Sequence, residues 1–371
     1  MKRRDFIKAA GIGAAALSVS ACNDKKTEST VQATAAKSTK TYDWKMVTTW
    51  PKNFPGLGTS ANKLGELIGE MSGGRIKVKI YGAKELVPAF EVFDAVSRGT
   101  AQMGHGSAYY WKGKKALLQF FSTVPFGMTA QEMNGWMYHG GGLELWQKHY
   151  AEFGLIPAPA GNTGVQMVGW FNKKIDSLED MKGLKMRIPG LGGAVLKRLG
   201  GTPVNLPGGE LYTALTSGTI DATEWVGPYN DLAFGLHKAA KYYYYPGFHE
   251  PGTILEAMIN KQAFEELPAD LQSIVLNACK VVNQDLLSEY TARNPVALEQ
   301  LVNEHNVEIF QYPQDVLNAL KQISDEVVLE LANENAESRE IYDSYSQFLA
   351  GSRKWSGLSE RAYLNARDAS T

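Results

Sequence analysis

Cysteine is nearly absent from this chain: among 371 residues only Cys22 and Cys279 carry a thiol. Two thiols allow one intrachain disulfide at most, and none if Cys22 is processed as argued below. Neither sign of charge is in surplus, with 38 Lys and Arg against 39 Asp and Glu. That balance excludes nucleic acid as a main partner, because neutralising phosphates takes a basic excess. The six histidines, His105, His139, His149, His237, His249 and His305, contain no pair spaced i, i+4, and there is no Cys-x-x-Cys. Zinc sites of those spacings are therefore missing. Missing too are a phosphate loop ending in Gly-Lys, a Gly-x-Ser-x-Gly nucleophile turn and a haem-attachment motif. Gly190-Leu191-Gly192-Gly193-Ala194-Val195 lacks the last small residue of a dinucleotide fingerprint and reads as a loop entering a helix. What remains is ample core material. Hydrophobic residues make up 44% and charged residues 21%, with 8 Trp and 17 Tyr, which excludes global disorder, and the length suggests two domains.

The N-terminus reads as an address. Lys2-Arg3-Arg4-Asp5-Phe6-Ile7-Lys8 precedes an apolar, small-residue stretch over residues 9–21, too short to cross a hydrocarbon core of roughly 30 Å. The paired arginines resemble a twin-arginine export signal, and Val19-Ser20-Ala21-Cys22 resembles a lipobox whose cysteine is acylated. Residues 1–22 are expected to be a signal peptide. Residues 23–41, rich in Lys, Thr, Ser and Ala, are expected to be a flexible tether. The protein is thus expected in the periplasm, either held by a lipid anchor at Cys22 or released.

Beyond residue 42 the pattern is α/β. Trp44-Lys45-Met46-Val47-Thr48-Thr49 predicts a buried strand, and Leu57, Ala61, Leu64, Leu67, Ile68 and Met71 keep helical spacing. Arg75-Ile76-Lys77-Val78-Lys79-Ile80-Tyr81 alternates polar and apolar, as a strand with one wet face does. A second series runs from residue 155 to 226, with a strand at 183–188 and helices near 194–199 and 209–216. Residues 253–350 contain no glycine and carry helical periodicity, so they predict long helices, with Pro295 kinking or ending one of them.

Three polar constellations stand out in glycine- and aromatic-rich loops. Gly161-Asn162-Thr163-Gly164-Val165-Gln166-Met167 presents an amide. Lys185-Met186-Arg187-Ile188-Pro189-Gly190 sets an arginine at the carboxyl end of a short strand, where α/β sheets present ligand contacts and a guanidinium can grip a carboxylate. Glu224, between Thr223 and Trp225, and Glu250, after Phe248-His249, are isolated carboxylates in apolar text. Each needs a cation or a strong donor. Two glutamates, one arginine and an anionic ligand do not balance in a dry cleft. A hard cation of the sodium or calcium kind, with oxygen ligands, would bring the sum near neutrality.

Together with Glu91-Val92-Phe93-Asp94-Ala95-Val96, Met103-Gly104-His105, Pro125-Phe126-Gly127-Met128 and Leu206-Pro207-Gly208-Gly209-Glu210, these stretches resemble the solute-binding subunits of tripartite ATP-independent periplasmic (TRAP) transporters. The similarity is to the subgroup that binds 2-oxo or 2-hydroxy monocarboxylates with a metal ion. It implies a two-lobed α/β binding protein of type II-like fold, with long C-terminal helices, that delivers ligand to membrane permease subunits. Lobe I would comprise residues 42–164, completed by parts of 250–300, and lobe II residues 165–249, with connecting and C-terminal helices over 253–350. The resemblance places Arg187 on the substrate carboxylate and Gln166 on both ligand and ion. Glu224, Glu250 and the Trp225 backbone carbonyl become metal ligands, and sodium or calcium the ion. Tyr109, Tyr110 and Asn162 are further candidates for the ligand. Phe126 and Trp170 are candidates for the apolar wall, and His105 and His249 are expected to be structural. A homodimer through the C-terminal helices is expected from the same resemblance. Two other functions compete: an exported metal-dependent enzyme acting on a 2-oxo acid, and a sensor presenting the same site to a receptor kinase.

Overall fold

The computed structural model describes residues 40–369. The signal segment, Cys22 and residues 23–39 of the expected tether lie outside the described residues. Among the described residues, eleven strands form two sheets. The first is built from β1 (Tyr42–Thr48), β2 (Ile76–Tyr81), β3 (Met103–Gly106) and β4 (Leu155–Asn162), with β10 (Ile254–Asn260) inserted late in the chain. Its order is β2-β1-β3-β10-β4. The second holds β5 (Gly169–Phe171), β6 (Lys185–Arg187), β7 (Thr202–Val204), β8 (Ala222–Thr223), β9 (Tyr242–Tyr245) and β11 (Glu308–Gln311). Its order is β11-β9-β5-β8-β6-β7.

Local rules account for the elements. In the helix Leu57–Met71 the buried residues Leu57, Ala61, Leu64 and Ile68 share one face, and the helix stops before Gly73 and Gly74, both at positive φ. Burying each large aliphatic side chain there stabilises by about 1.5–3 kcal/mol. β2 is an edge strand, and its lysines 77 and 79 face water as the alternation predicts. The chain crosses between the sheets twice within a few residues, at 163–168 from β4 to β5 and at 246–253 from β9 to β10.

The glycine-free region differs from the expectation of helices throughout. It opens with β10, buried along nearly its whole length because strands cover both its edges and side chains both its faces. It also contributes β11. Pro295 does not end its helix: Ala269–Asn303 runs through it. A proline removes one i→i−4 bond, a loss that packing at Ala297 and Leu301 outweighs here. This helix packs Leu271, Val275 and Val282 into the core beneath the first sheet, then Leu286, Tyr290 and Leu301 into a second core with Trp50, Trp170 and Trp225. The helix Gln314–Asn333 packs on Gly190–Arg198, and Ala336–Leu358 packs on Ala130–His139 and Gly142–Ala151. Among the described residues no helix is long and apolar enough to cross a membrane.

Candidate functional site

Arg187 ends β6, the parallel neighbour of both β7 and β8. Pro189 then caps the helix Gly190–Arg198, so the strand stops and leaves the guanidinium at its carboxyl end. Register pairs Arg187 with Thr223, which brings Glu224 beside it, and the Glu224 N–H donates to the Arg187 carbonyl (3.2 Å). Arg187 is buried. Its Nε donates to the Leu206 carbonyl (3.1 Å), its Nη1 to Glu224 Oε1 and its Nη2 to the Tyr110 hydroxyl (3.3 Å). The guanidinium also lies 5.0 Å from the centre of the Trp225 ring, a cation–π geometry. Burial opposes the charge, yet Glu224 and the neighbouring tyrosines hold Arg187 above its ordinary range.

Gln166 and Glu250 sit one on each crossover. The two segments are laced together: Gln166 N–H to the Glu250 carbonyl (3.1 Å), Gly247 N–H to the Gln166 carbonyl (2.9 Å) and Thr163 N–H to the Thr253 carbonyl (3.0 Å). Gly247 makes the approach possible, since a Cβ there would lie 2.1 Å from the Gln166 carbonyl oxygen. Gln166 Nε2 donates to Glu250 Oε2 (2.8 Å) and to the Thr163 hydroxyl (3.1 Å), and the Thr253 hydroxyl donates to Glu250 Oε2 (2.6 Å).

Arg187 and Gln166 line a narrow cavity of about 10 Å3, walled by Trp50, Tyr109, Tyr110 and Trp225. Around it several buried atoms have no protein partner: Gln166 Oε1, Glu224 Oε2 and both ring nitrogens of His249. Buried polar atoms are normally paired, so four such atoms grouped around one arginine point to a ligand there. One ligand atom each of Glu224, His249 and Glu250 lie within 4.8 Å of one another. Burial pushes both carboxyls up to about 7, Glu224 against the pull of Arg187 and Glu250 further through Glu224. An orphaned oxygen on the buried Glu224 carboxylate, another on the Gln166 amide and the adjoining Glu250 carboxylate fit a hard cation, whose charge would restore both glutamates to their ionised form.

The other expected residues are placed as follows. Tyr110 reaches Arg187, and Tyr109 forms cavity wall. Asn162 spends its amide on backbone, accepting from the Gly164 N–H (2.8 Å) and donating to the Gly252 carbonyl (3.2 Å), so it shapes the crossover and is not among the residues walling the cavity. His105 is structural: Nδ1 accepts from Trp50 Nε1 (2.8 Å), Nε2 faces the Ala160 carbonyl (3.1 Å), and burial holds its pKa down at about 4. Trp170 and Phe126 are not the apolar wall. Trp170 stacks on Tyr243 (4.1 Å between ring centres) and donates to Asp231, and Phe126 packs on Phe248. Trp50, Thr163 and Thr253 were not singled out from sequence, and His249 was expected to be structural. Only a count of hydrogen-bond partners, not a motif, brings His249 into the cluster.

Residues 46–335 match the DctP family, bacterial extracellular solute-binding protein family 7. The chain belongs to this family. A relative of this family-7 solute-binding protein from Nostoc sp. PCC 7120 is 42% identical over 370 residues, 100% of each chain, and is named a monocarboxylate 2-oxoacid-binding periplasmic protein. Two solved TRAP periplasmic solute-binding proteins are each 46% identical, cover 88% of this chain and superpose with a TM-score of 0.86. The one from Pseudoalteromonas atlantica, 99% covered, holds sodium and pyruvate; the one from Colwellia psychrerythraea, 100% covered, holds calcium and pyruvate. A third, from Bordetella bronchiseptica, is 36% identical with a TM-score of 0.87, covers 89% of this chain and 98% of its own, and is a dimer with calcium and picolinate at its active site. Family-7 proteins are extracytoplasmic binding proteins, and the enzyme alternative finds no support among these relatives.

Proposed function

We propose that this protein is the extracytoplasmic receptor of a TRAP transporter, binding a small 2-oxo or 2-hydroxy monocarboxylate such as pyruvate together with a sodium or calcium ion. The observation that carries this reading is a buried arginine that lines one cavity with Gln166, whose Oε1 is orphaned, and pairs with Glu224, whose Oε2 is orphaned. Arg187 takes one edge of the ligand carboxylate in a charge-assisted, bidentate pair, aided by the Tyr110 hydroxyl. Glu224, Glu250, the Gln166 side-chain oxygen and the Trp225 backbone carbonyl hold the cation, which the ligand chelates through a carboxylate oxygen and its 2-oxygen. Glu224 then exchanges Arg187 for the cation, freeing the guanidinium for the ligand. Charge supports this. One arginine, two glutamates and one carboxylate sum to −2, which a divalent ion neutralises and a monovalent ion halves.

The ligands come from the second sheet, from Tyr110 in the turn after β3 and from the crossovers between the sheets, so occupancy would favour one arrangement of two lobes, residues 42–164 with part of 250–300, and 165–249. That closed form is what the permease subunits would recognise. Homodimerisation through the C-terminal helices is supported by the exposure of Trp355 (66%), Leu358 (81%) and Tyr363 (65%) at their end. Export through the paired arginines and acylation of Cys22 complete the proposal, the latter testable by intact-mass measurement of membrane-extracted protein.

The test is calorimetric titration with pyruvate, longer 2-oxo acids and lactate, in calcium, in sodium and after chelation. Tight, cation-dependent binding that leaves the ligand unaltered is expected. Equal affinity in metal-free protein would remove the cation from the account, and turnover would restore the enzyme.

A further inference from the structure

We infer that the helix Ala336–Leu358 sets the position of Glu250 from a distance: Tyr345 and Arg353 hold the turn Pro125-Phe126-Gly127-Met128, and that turn grips the crossover carrying Glu250. Both are positioning residues for the cation and touch neither it nor the ligand. The inference rests on the cation-dependent reading above. It gives a binding role to a helix beyond residues 46–335, the stretch that matches the family.

The turn does not wall the cavity, yet its backbone is unusual. Phe126 has φ 53°, the left-handed region, which a bulky residue keeps only when its surroundings dictate it. Three hydrogen bonds do so. Arg353 Nη2 donates to the Phe126 carbonyl (2.8 Å), the Met128 N–H donates to the Tyr345 hydroxyl (2.9 Å), and the Phe126 N–H donates to the Phe248 carbonyl (2.7 Å). Gly127 lets the helix come this close, since a Cβ there would lie 2.2 Å from the Tyr345 hydroxyl oxygen. Two of these ties come from the helix and the third reaches the crossover.

The turn and the residues after it meet the crossover on both sides of Glu250. On one side Phe126 bonds the Phe248 carbonyl and packs on its ring, 5.5 Å between centres. On the other, a Cβ on Gly252 would lie 2.5 Å from the Ala130 nitrogen and 2.9 Å from the Met128 carbonyl oxygen. Tyr345 is a fixed point: it is buried, with its ring against Trp136 (5.2 Å) and Phe120 (6.4 Å). A cavity of about 360 Å3 lies between the turn and the helices Gln314–Asn333 and Ala336–Leu358. Packing at this joint is therefore incomplete, and the polar ties carry the connection. Metal sites are sensitive to ligand shifts of a few tenths of an ångström, so slack in the turn reaches the cation through Glu250.

The test is calcium titration of chelator-stripped protein at fixed pyruvate in sodium-free buffer, followed by pyruvate titration at saturating calcium. Tyr345→Phe combined with Arg353→Met should weaken calcium on the order of tenfold. Pyruvate affinity at saturating calcium should not change, because Arg187 is undisturbed. Arg353→Lys, which keeps a donor for the Phe126 carbonyl, should behave as wild type. Ile68→Val, a truncation in the core beneath the first sheet, should lower the melting temperature and leave calcium affinity intact. Calcium affinity unmoved in the combined variant, or lowered equally by Ile68→Val, would overturn the inference. Arg353 is exposed, so Arg353→Met alone decides the matter if Tyr345→Phe does not fold. Wild-type pyruvate binding that ignores calcium would sink the cation reading and this inference with it. Calcium-dependent wild type with unchanged variants would sink this inference alone.

Discussion

Four buried carboxylates divide into two pairs that differ in one respect. Glu256, in the first sheet, and Asp231, in the core beside the second, have their oxygens engaged. Glu256 accepts from Trp111 Nε1 and from the Tyr150 hydroxyl (2.6 Å). Asp231 accepts from Trp170 Nε1 (3.0 Å), the Tyr243 hydroxyl (2.7 Å) and the Val226 N–H (3.4 Å). At the cavity, Glu224 has one oxygen on Arg187 and the other orphaned, while Glu250 shares Oε2 between Gln166 and Thr253 next to the orphaned Gln166 Oε1. Burial pushes all four up to about 7. A perturbed carboxyl therefore does not by itself mark a binding site in this protein. Among these four, the unpartnered oxygens beside Glu224 and Glu250 make the difference: the core carboxylates are held by their donors, and the site pair awaits a ligand.

The comparison can be broken at either end. The largest effect is expected at the site: Arg187→Met should lower pyruvate affinity by about three orders of magnitude in calorimetry, as truncating one partner of a buried charge pair costs about 2–5 kcal/mol or more. Retained micromolar binding would show that the cation alone holds the carboxylate.

At the other end, Glu256→Gln should change stability and spare ligand affinity. A carboxyl whose folded pKa lies above its unfolded value keeps its proton in the native state while the unfolded chain releases it. Stability is therefore full below about pH 4.5 and declines until the pH passes about 7. The glutamine variant should flatten the fall of melting temperature between pH 5 and 8, because that share of the slope, a few kcal/mol, vanishes. An unchanged slope would mean that Glu256 is ionised throughout.

A smaller effect is expected where the crossovers touch. Gly247→Ala forces a methyl against the Gln166 carbonyl, at a cost of about 1–3 kcal/mol. Because Gln166 moves with it, affinity should fall on the order of tenfold as the melting temperature drops. Loss of stability with full affinity would show that the lacing is structural alone. Smallest is Tyr110→Phe, which removes one long hydrogen bond to Arg187 and should cost about 0.5–1.5 kcal/mol of ligand binding, measured by the same titration.

Much of this was legible in the chain. Arg187 before a Pro-Gly break, and Glu224 and Glu250 isolated in apolar text, stand out because charge without nearby countercharge is rare in a core. The helix Leu57–Met71 and the strand Ile76–Tyr81 follow their periodicities. Illegible features share one cause: they depend on which segments meet. β10 is apolar text broken by Glu256 within a glycine-free stretch, and only sheet membership makes it a strand beside β3 and β4. Trp170 beside a polar loop looks like cavity wall until Tyr243 is found stacked on it. His105 and His249 look alike in sequence, and partners from distant segments separate them.

The most direct test of the central claim is a crystal structure grown with pyruvate and calcium. The account predicts calcium about 2.3–2.6 Å from oxygens of Glu224, Glu250 and Gln166, with the Arg187–Glu224 pair opened and the guanidinium on the pyruvate carboxylate. Calcium bound elsewhere, or pyruvate seated with Gln166 Oε1 and Glu224 Oε2 still unpartnered, would contradict it.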